Sequence, residues 1–178
     1  HAEYDQLGTS VRMIGTIQDI NWRKQVESER QALLEIMQGL TSTGSLQDFL
    51  ELIHRSIGNV IYAENFFVVV HNQDTGLFEE IYSVDQHDPP ASPSRLEKSI
   101  TSYVFRTGET ILLDQELFAE LSARGEVELI GTDSASWLGA PLKAPDGTIG
   151  VIAVQHYENR YRYTEHDKQF LASIAAQA

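Results

Sequence analysis

A strand–turn–strand block near the end of the 178-residue chain restricts the fold more than any other feature. Trp137 to Lys143 and Thr148 to Tyr157 are dominated by aliphatic, β-branched and aromatic residues, and Ala144-Pro145-Asp146-Gly147 lies between them. That tetrapeptide is turn chemistry: proline fixes φ, aspartate bonds its own backbone, and glycine tolerates positive φ. A hairpin alone is at best marginally stable in water, so other elements must cover it. Helices that can do so are legible on both sides. Ser45 with Asp48 resembles a capping box with Asp replacing Glu. Leu46, Phe49, Leu50, Ile53, Ile57, Val60 and Ile61 then keep the 3.6-residue stripe of an amphipathic helix. Thr164 caps a last helix over 165–177, with Phe170, Leu171, Ile174 and Ala175 on one face.

The middle of the chain supplies more strands. Phe66 to Val70 is apolar, Asn72-Gln73-Asp74-Thr75-Gly76 is a turn, and Leu77 to Tyr82 returns, which reads as a second hairpin. Residues 84–98 hold Pro89, Pro90 and Pro93 and form a loop. Ser99 to Arg106 reads as a short helix with Ile100, Tyr103 and Val104 inward, Thr110 to Leu113 as a strand, and 115–124 as another short helix. Hairpins with helices segregated around them indicate an α+β domain on an antiparallel sheet, spanning 45–178.

The first 44 residues are of another kind. Residues 1–21 read as strand, turn, strand, with Tyr4 to Gly8 as the turn and Val11 to Ile17 loosely alternating. Residues 22–44 read as a linker helix that ends near Gln38, broken by Gly39 and Thr41 to Gly44. Its apolar positions Trp22, Val26, Leu33, Met37 and Leu40 sit near a seven-residue rhythm interrupted at Glu29 or Arg30. That is too short for a coiled coil on its own, and both a solvated linker and a helix paired with its twin in a dimer fit it. Leu33, Met37, Phe170 and Ile174 are the positions expected at such an interface, with burial on the sheet competing for all of them. Both ends of the sequence read as cut from a longer chain, since the last helix meets no stop signal and the first strands look like the tail of an upstream body.

Composition removes several function classes. Thirteen Lys and Arg against 26 Asp and Glu give a net charge of −13, which repels phosphate backbones and anionic lipid, so no nucleic-acid partner is expected. No apolar run exceeds about five residues, far from the ~20 that span a bilayer, and no signal peptide is visible. A cytoplasmic location is the expectation. There is no cysteine, which removes disulfides, iron–sulfur clusters, thiolate zinc sites and thiol nucleophiles. No Gly-rich phosphate loop, nucleophile elbow or triad is present. Glu79 and Glu80 are adjacent on a strand and point to opposite faces, so they cannot act as a pair. No enzyme activity is expected of this segment.

Residues 137–175 carry a resemblance. Trp137-Leu138-Gly139-Ala140-Pro141-Leu142, Asp146-Gly147-Thr148-Ile149-Gly150-Val151-Ile152-Ala153-Val154 and Tyr163-Thr164-Glu165-His166-Asp167 resemble the C-terminal half of a GAF domain. Thr107-Gly108-Glu109 followed by Asp114 resembles that family's mid-domain motif. Pro141 then marks a strand irregularity, Gly147 serves the turn, and Gly150 permits close backbone approach. Arg12 to Ile20, with Arg23-Lys24-Gln25, resembles the closing strand of a PAS domain and its exit helix, with Asn21-Trp22 departing from the usual pattern. In series these resemble the sensory half of a bacterial signalling protein, whose usual output is a sensor histidine kinase or a cyclic-di-nucleotide enzyme.

The resemblance implies a central antiparallel sheet with helices on one face and a ligand pocket on the other, preceded by a linker helix and a β-hairpin. On the last strand Ala153, Gln155 and Tyr157 share one face, and Ile152, Val154 and His156 the other. Either face can be the pocket, and the candidate ligand-binding residues are Trp137, Gln155, His156 and Tyr157. No cofactor is expected: a tethered bilin and the methionine-sulfoxide-reducing chemistry of some GAF proteins need cysteine, the cyclic-nucleotide constellation Asn-Lys-Phe-Asp-Glu is missing, and nothing in the spacing points to haem. His87 with Asp85 and Asp88 is a tight cluster but lies in a Pro-rich loop without the further ligands a metal site needs, so no metal is expected. His166 lacks the surroundings of a phosphoacceptor. The expected partners are an unknown small molecule and a second copy of the chain, with no membrane contact in this segment. The chain then acts either as a ligand-binding sensor or as a ligand-free dimerisation and relay module.

Overall fold

The computed structural model describes residues 2–4, 10–13 and 20–178, with side chains from residue 22 onward. β1 (Ala2–Tyr4) and β2 (Ser10–Met13) pair antiparallel, Ala2 opposite Met13. The expected turn between them and the remainder of the alternating stretch, 14–19, lie outside the described residues. α1 (Ile20–Ser42) follows, then α2 (Leu46–Gly58), β3 (Phe66–Asn72), β4 (Leu77–Val84), α3 (Ile100–Thr107), β5 (Ile111–Leu113), α4 (Gln115–Ala123), β6 (Ser136–Ala144), β7 (Gly147–His156) and α5 (Glu165–Ala175).

β3 to β7 form one antiparallel sheet in the order β4-β3-β7-β6-β5. The two hairpins meet at β3 and β7, where Val70 lies opposite Gly150. A Cβ at Gly150 would fall 2.3 Å from the Val69 carbonyl oxygen, so only glycine lets these backbones pair. Pro141 lies beyond Gly139, the last β6 residue paired with β5, and the adjoining irregularity in β6–β7 pairing falls between Leu142 and Lys143. A residue without an N–H is tolerated on such an unpaired edge.

Strand alternation sorts side chains into two cores. Phe66, Val68, Leu138, Ala140, Ile152 and Val154 face α1, α2 and α5, meeting Ile36, Ile53, Ile57, Leu171 and Ile174. Val69, Trp137, Val151 and Ala153 face the opposite way, toward Val104 of α3, Leu121 of α4 and Val127. The fold is therefore α+β, with the terminal helices and α2 on one face. The other face is only partly covered by α3, α4 and the loops at 85–98 and 128–134, and the cavity lies there.

Helix ends follow their side chains. Ser45, Ser99, Asp114 and Thr164 each accept a hydrogen bond from the backbone N–H three residues on. The reciprocal capping box is complete at Thr164 and Asp167. α1 runs longer than its composition suggests and passes through Gly39. There a Cβ would fall 2.2 Å from Leu52 of α2, so the glycine admits a close helix crossing and does not end the helix. The second half of α1 belongs to the core through Ala32 and Ile36, both under 3% exposed. Val26, Met37 and Leu40 of the seven-residue rhythm are exposed along the edge of that buried stripe. Phe170 and Ile174 are buried against the sheet; of the four expected interface positions, Met37 is open and Leu33 half-covered. Among the described residues no helix is long and apolar enough to cross a membrane.

Candidate functional site

The partly covered face of the sheet holds a cavity of about 600 Å³, within the range that small-molecule sites occupy. Phe67 and Val69 of β3, Trp137 of β6 and Gln155 of β7 form its floor. Ile100 and Thr101 of α3 and Phe118 of α4 form its sides, and loop residues including Asp85, Asp88, Leu129 and Thr132 its mouth. β4 contributes both Glu80 and Ser83, three positions apart. The register shifts between Val68 and Val69, where Tyr82 and Glu80 are the successive partners, so Ile81 is an extra residue. Such a bulge reverses the alternation and turns Glu80 and Ser83 to the same side.

Trp137 is 3% exposed and lies across Gly139, where a Cβ would fall 2.1 Å from the indole. The Trp-x-Gly spacing of β6 thus permits the ring to lie along the sheet as a wall. Thr101 is 7% exposed, and neither its hydroxyl nor the Trp137 indole N–H has a hydrogen-bond partner among the described residues. No polar side-chain atom without a partner is fully enclosed, so both groups open to the cavity they line.

The mouth is held by a chain of hydrogen bonds that begins on β7. Gln155 Nε2 donates to Asp85 Oδ2 at 2.7 Å and to Tyr157 Oη at 2.7 Å, and Tyr157 Oη donates to Asp85 Oδ1 at 2.6 Å. Asp85 also accepts from the backbone N–H groups of His87 and Asp88. Asp88 in turn accepts from Thr132 Oγ1 at 2.7 Å and from the Thr132 N–H. Buried Asn65 braces the set by donating to the Gln155 carbonyl and accepting from the Gln86 N–H. Two loops 44 residues apart are so fastened to one strand end. Burial opposes the charge on Asp85, but the donors around it, led by the Asp88 N–H and Tyr157 hydroxyl, outweigh that and hold its carboxyl below the usual range. The same burial and the adjacent carboxylate push the Tyr157 phenol up, so it stays a neutral donor.

The four residues singled out from sequence are divided by this geometry. Trp137 and Gln155 line the cavity. Tyr157 stands just behind the mouth as the third member of the Gln155–Asp85 latch. His156 is on the opposite face: its ring packs 4.5 Å from Tyr62, and its Nδ1 accepts the N–H groups of Glu158 and Asn159. The pocket therefore belongs to the Ala153–Gln155 face of the last strand. Thr101, Glu80, Phe118 and the latch role of Asp85 carried no sequence signal, since each depends on contacts between distant segments. The turn at Asp85 reads in sequence as a solvated loop, yet its carboxylate is half-buried under β7. Among the described residues no group of three or more His, Asp or Glu is arranged to hold a metal ion.

A family model described as GAF domain matches residues 43–178. No curated protein matches the sequence significantly. Solved structures similar to this chain include the GAF domain of an Acinetobacter phosphoenolpyruvate-protein phosphotransferase, at 18% identity over 90% of this chain and 91% of that one, with a TM-score of 0.67. Free methionine-R-sulfoxide reductase from Neisseria meningitidis in complex with its substrate is similar at 13% identity, 93% and 92% coverage and a TM-score of 0.66. Residues 122 to 287 of a methyl-accepting chemotaxis protein are similar at 16% identity, 80% and 91% coverage and a TM-score of 0.63. At these identities the likeness is one of fold.

Proposed function

The chain belongs to the GAF domain family, and on that premise we propose that it is a sensory domain whose input is a small molecule held in the 600 Å³ cavity. One observation supports this above others: the cavity and the helices α1 and α5 lie on opposite faces of the same strands. Phe67 and Trp137 face the cavity, while their neighbours Phe66 and Leu138 face the helical core. A strand displaced by an occupant moves both layers, because packed interiors transmit strain. The signal leaves through α1 and α5 to an output domain elsewhere in a cytoplasmic bacterial protein, either a histidine kinase or a cyclic-di-nucleotide enzyme. Residues 1–21 are read as the closing strands of a PAS domain, 22–44 as the signalling helix and 45–178 as the GAF unit, on the resemblance at Arg12 to Ile20. The methionine-R-sulfoxide reductase shares the fold, but we read this cysteine-free chain as regulatory and not catalytic.

A second reading, a ligand-free dimerisation and relay module, is favoured by Val26, Met37 and Leu40, which α1 leaves exposed in one stripe. The two readings separate in native mass spectrometry of the protein purified from its own host. The sensor reading predicts a reproducible bound small-molecule mass that is lost in a Thr101→Trp variant, whose indole fills the cavity, with the variant's fold checked by circular dichroism. Bare protein in every preparation would instead support the relay module.

A further inference from the structure

Resting on the cavity's being a ligand site, we propose that its occupant is an organic cation, a protonated or quaternary amine on an apolar body. Among the described residues, the ionisable ones that line the cavity are Glu80, Asp85, Asp88, Asp114, Glu128 and Asp133, and no Lys, Arg or His is among them. The chain as a whole carries one base for every two acids, so a lining without any base is not simply its average composition. The donors that position these carboxylates are mostly neutral: backbone N–H groups at Glu80, Asp85, Asp88 and Asp114, with Gln155, Tyr157 and Thr132 side chains besides. Such bonds fix a carboxylate without cancelling its charge. Among the described residues, only Glu128 of these six has an ion-pair partner, Lys98 at 2.9 Å, and Asp133 has no partner. An anionic ligand would meet a like-charged wall with no base to pair it, whereas a cation is drawn in by the summed field.

Two further features indicate an organic body over a bare ion. Phe67, Phe118 and Trp137 give the cavity aromatic walls, which bury hydrocarbon and attract cations to their faces. Thr101, 7% exposed, and the Trp137 N–H present unused hydrogen-bonding groups to the interior, where a ligand's polar atom would complete them.

The test compares size-matched probes of different charge on the intact chain at neutral pH: 2-phenylethylamine, 2-phenylethanol and phenylacetate, titrated by ligand-observed magnetic resonance. The amine is expected to bind at least about tenfold more tightly than the alcohol, with phenylacetate not binding. That advantage should shrink at high salt. The ratio of amine to alcohol affinity should also fall at least about threefold in a Glu80→Gln, Asp133→Asn double variant, as expected when part of the negative charge is removed. Alcohol or phenylacetate binding as tightly as the amine overturns the cation assignment while leaving the cavity a ligand site. Failure of all three probes to bind also overturns the cation assignment, while the ligand-site reading stands or falls on the bound mass in host-purified protein.

Discussion

Asp85 accepts hydrogen bonds from Gln155, Tyr157 and two backbone N–H groups, so removing its charge loosens every segment that meets at the cavity mouth. Asp85→Asn is expected to cost about 1–3 kcal/mol in urea unfolding at neutral pH, the range for bonds to charged groups. Because the folded carboxyl lies below its unfolded value, the stabilisation is present above the unfolded pKa of about 4 and fades as pH falls through the lower folded value. The difference between wild type and variant should therefore be full above pH ~5 and close on acidification; a pH-independent difference would remove the charge from the explanation. Gln155 is legible in the sequence as a candidate ligand-binding residue on the last strand. Its partner Asp85 is not, because an acidic Pro-rich loop looks the same in sequence whether it is solvated or tucked under a strand 70 residues away.

Helix α1 carries two stripes, and they should respond differently to truncation. Ile36→Ala removes a fully buried side chain and should cost about 2–4 kcal/mol. Met37→Ala, half-exposed at the edge of the buried stripe, should change monomer stability by no more than about 0.5 kcal/mol. If copies pair through the outer stripe, as the relay reading holds, a Met37→Glu, Leu40→Glu variant should sediment as a monomer at concentrations where wild type is dimeric. A wild-type monomer at high concentration would contradict that pairing. The seven-residue rhythm points to the outer stripe, while the inner one is hard to read because Ala32 and Gly39, on either side of Ile36, contribute little to a periodic pattern. Gly39 looked like a helix end on propensity, yet a cost of about 1 kcal/mol is easily exceeded by packing against Leu52. The hairpins, caps and amphipathic helices were readable because each is a local pattern; the bulge at Ile81 and the closure of the loops over the sheet are long-range and were not.

At the scale of the whole molecule, a single sheet separates the cavity from the two helices, and alternation along β3, β6 and β7 places adjacent residues in opposite layers. Gly150 holds those strands together: Gly150→Ala puts a methyl against the β3 backbone and should cost at least the upper part of the ~1–3 kcal/mol typical of overpacking, read as a lowered melting temperature. Thr101→Trp, by contrast, should fill space without comparable loss. Occupancy on one face is, in the sensor reading, felt by the helices on the other. Its most direct test is hydrogen–deuterium exchange of the protein as purified with its host-derived occupant, compared with the same protein refolded without it. Slower exchange is expected in the occupied protein at α3 and residues 128–134, together with a change in α1 or α5. Protection confined to the cavity walls, with both helices unchanged, would contradict it.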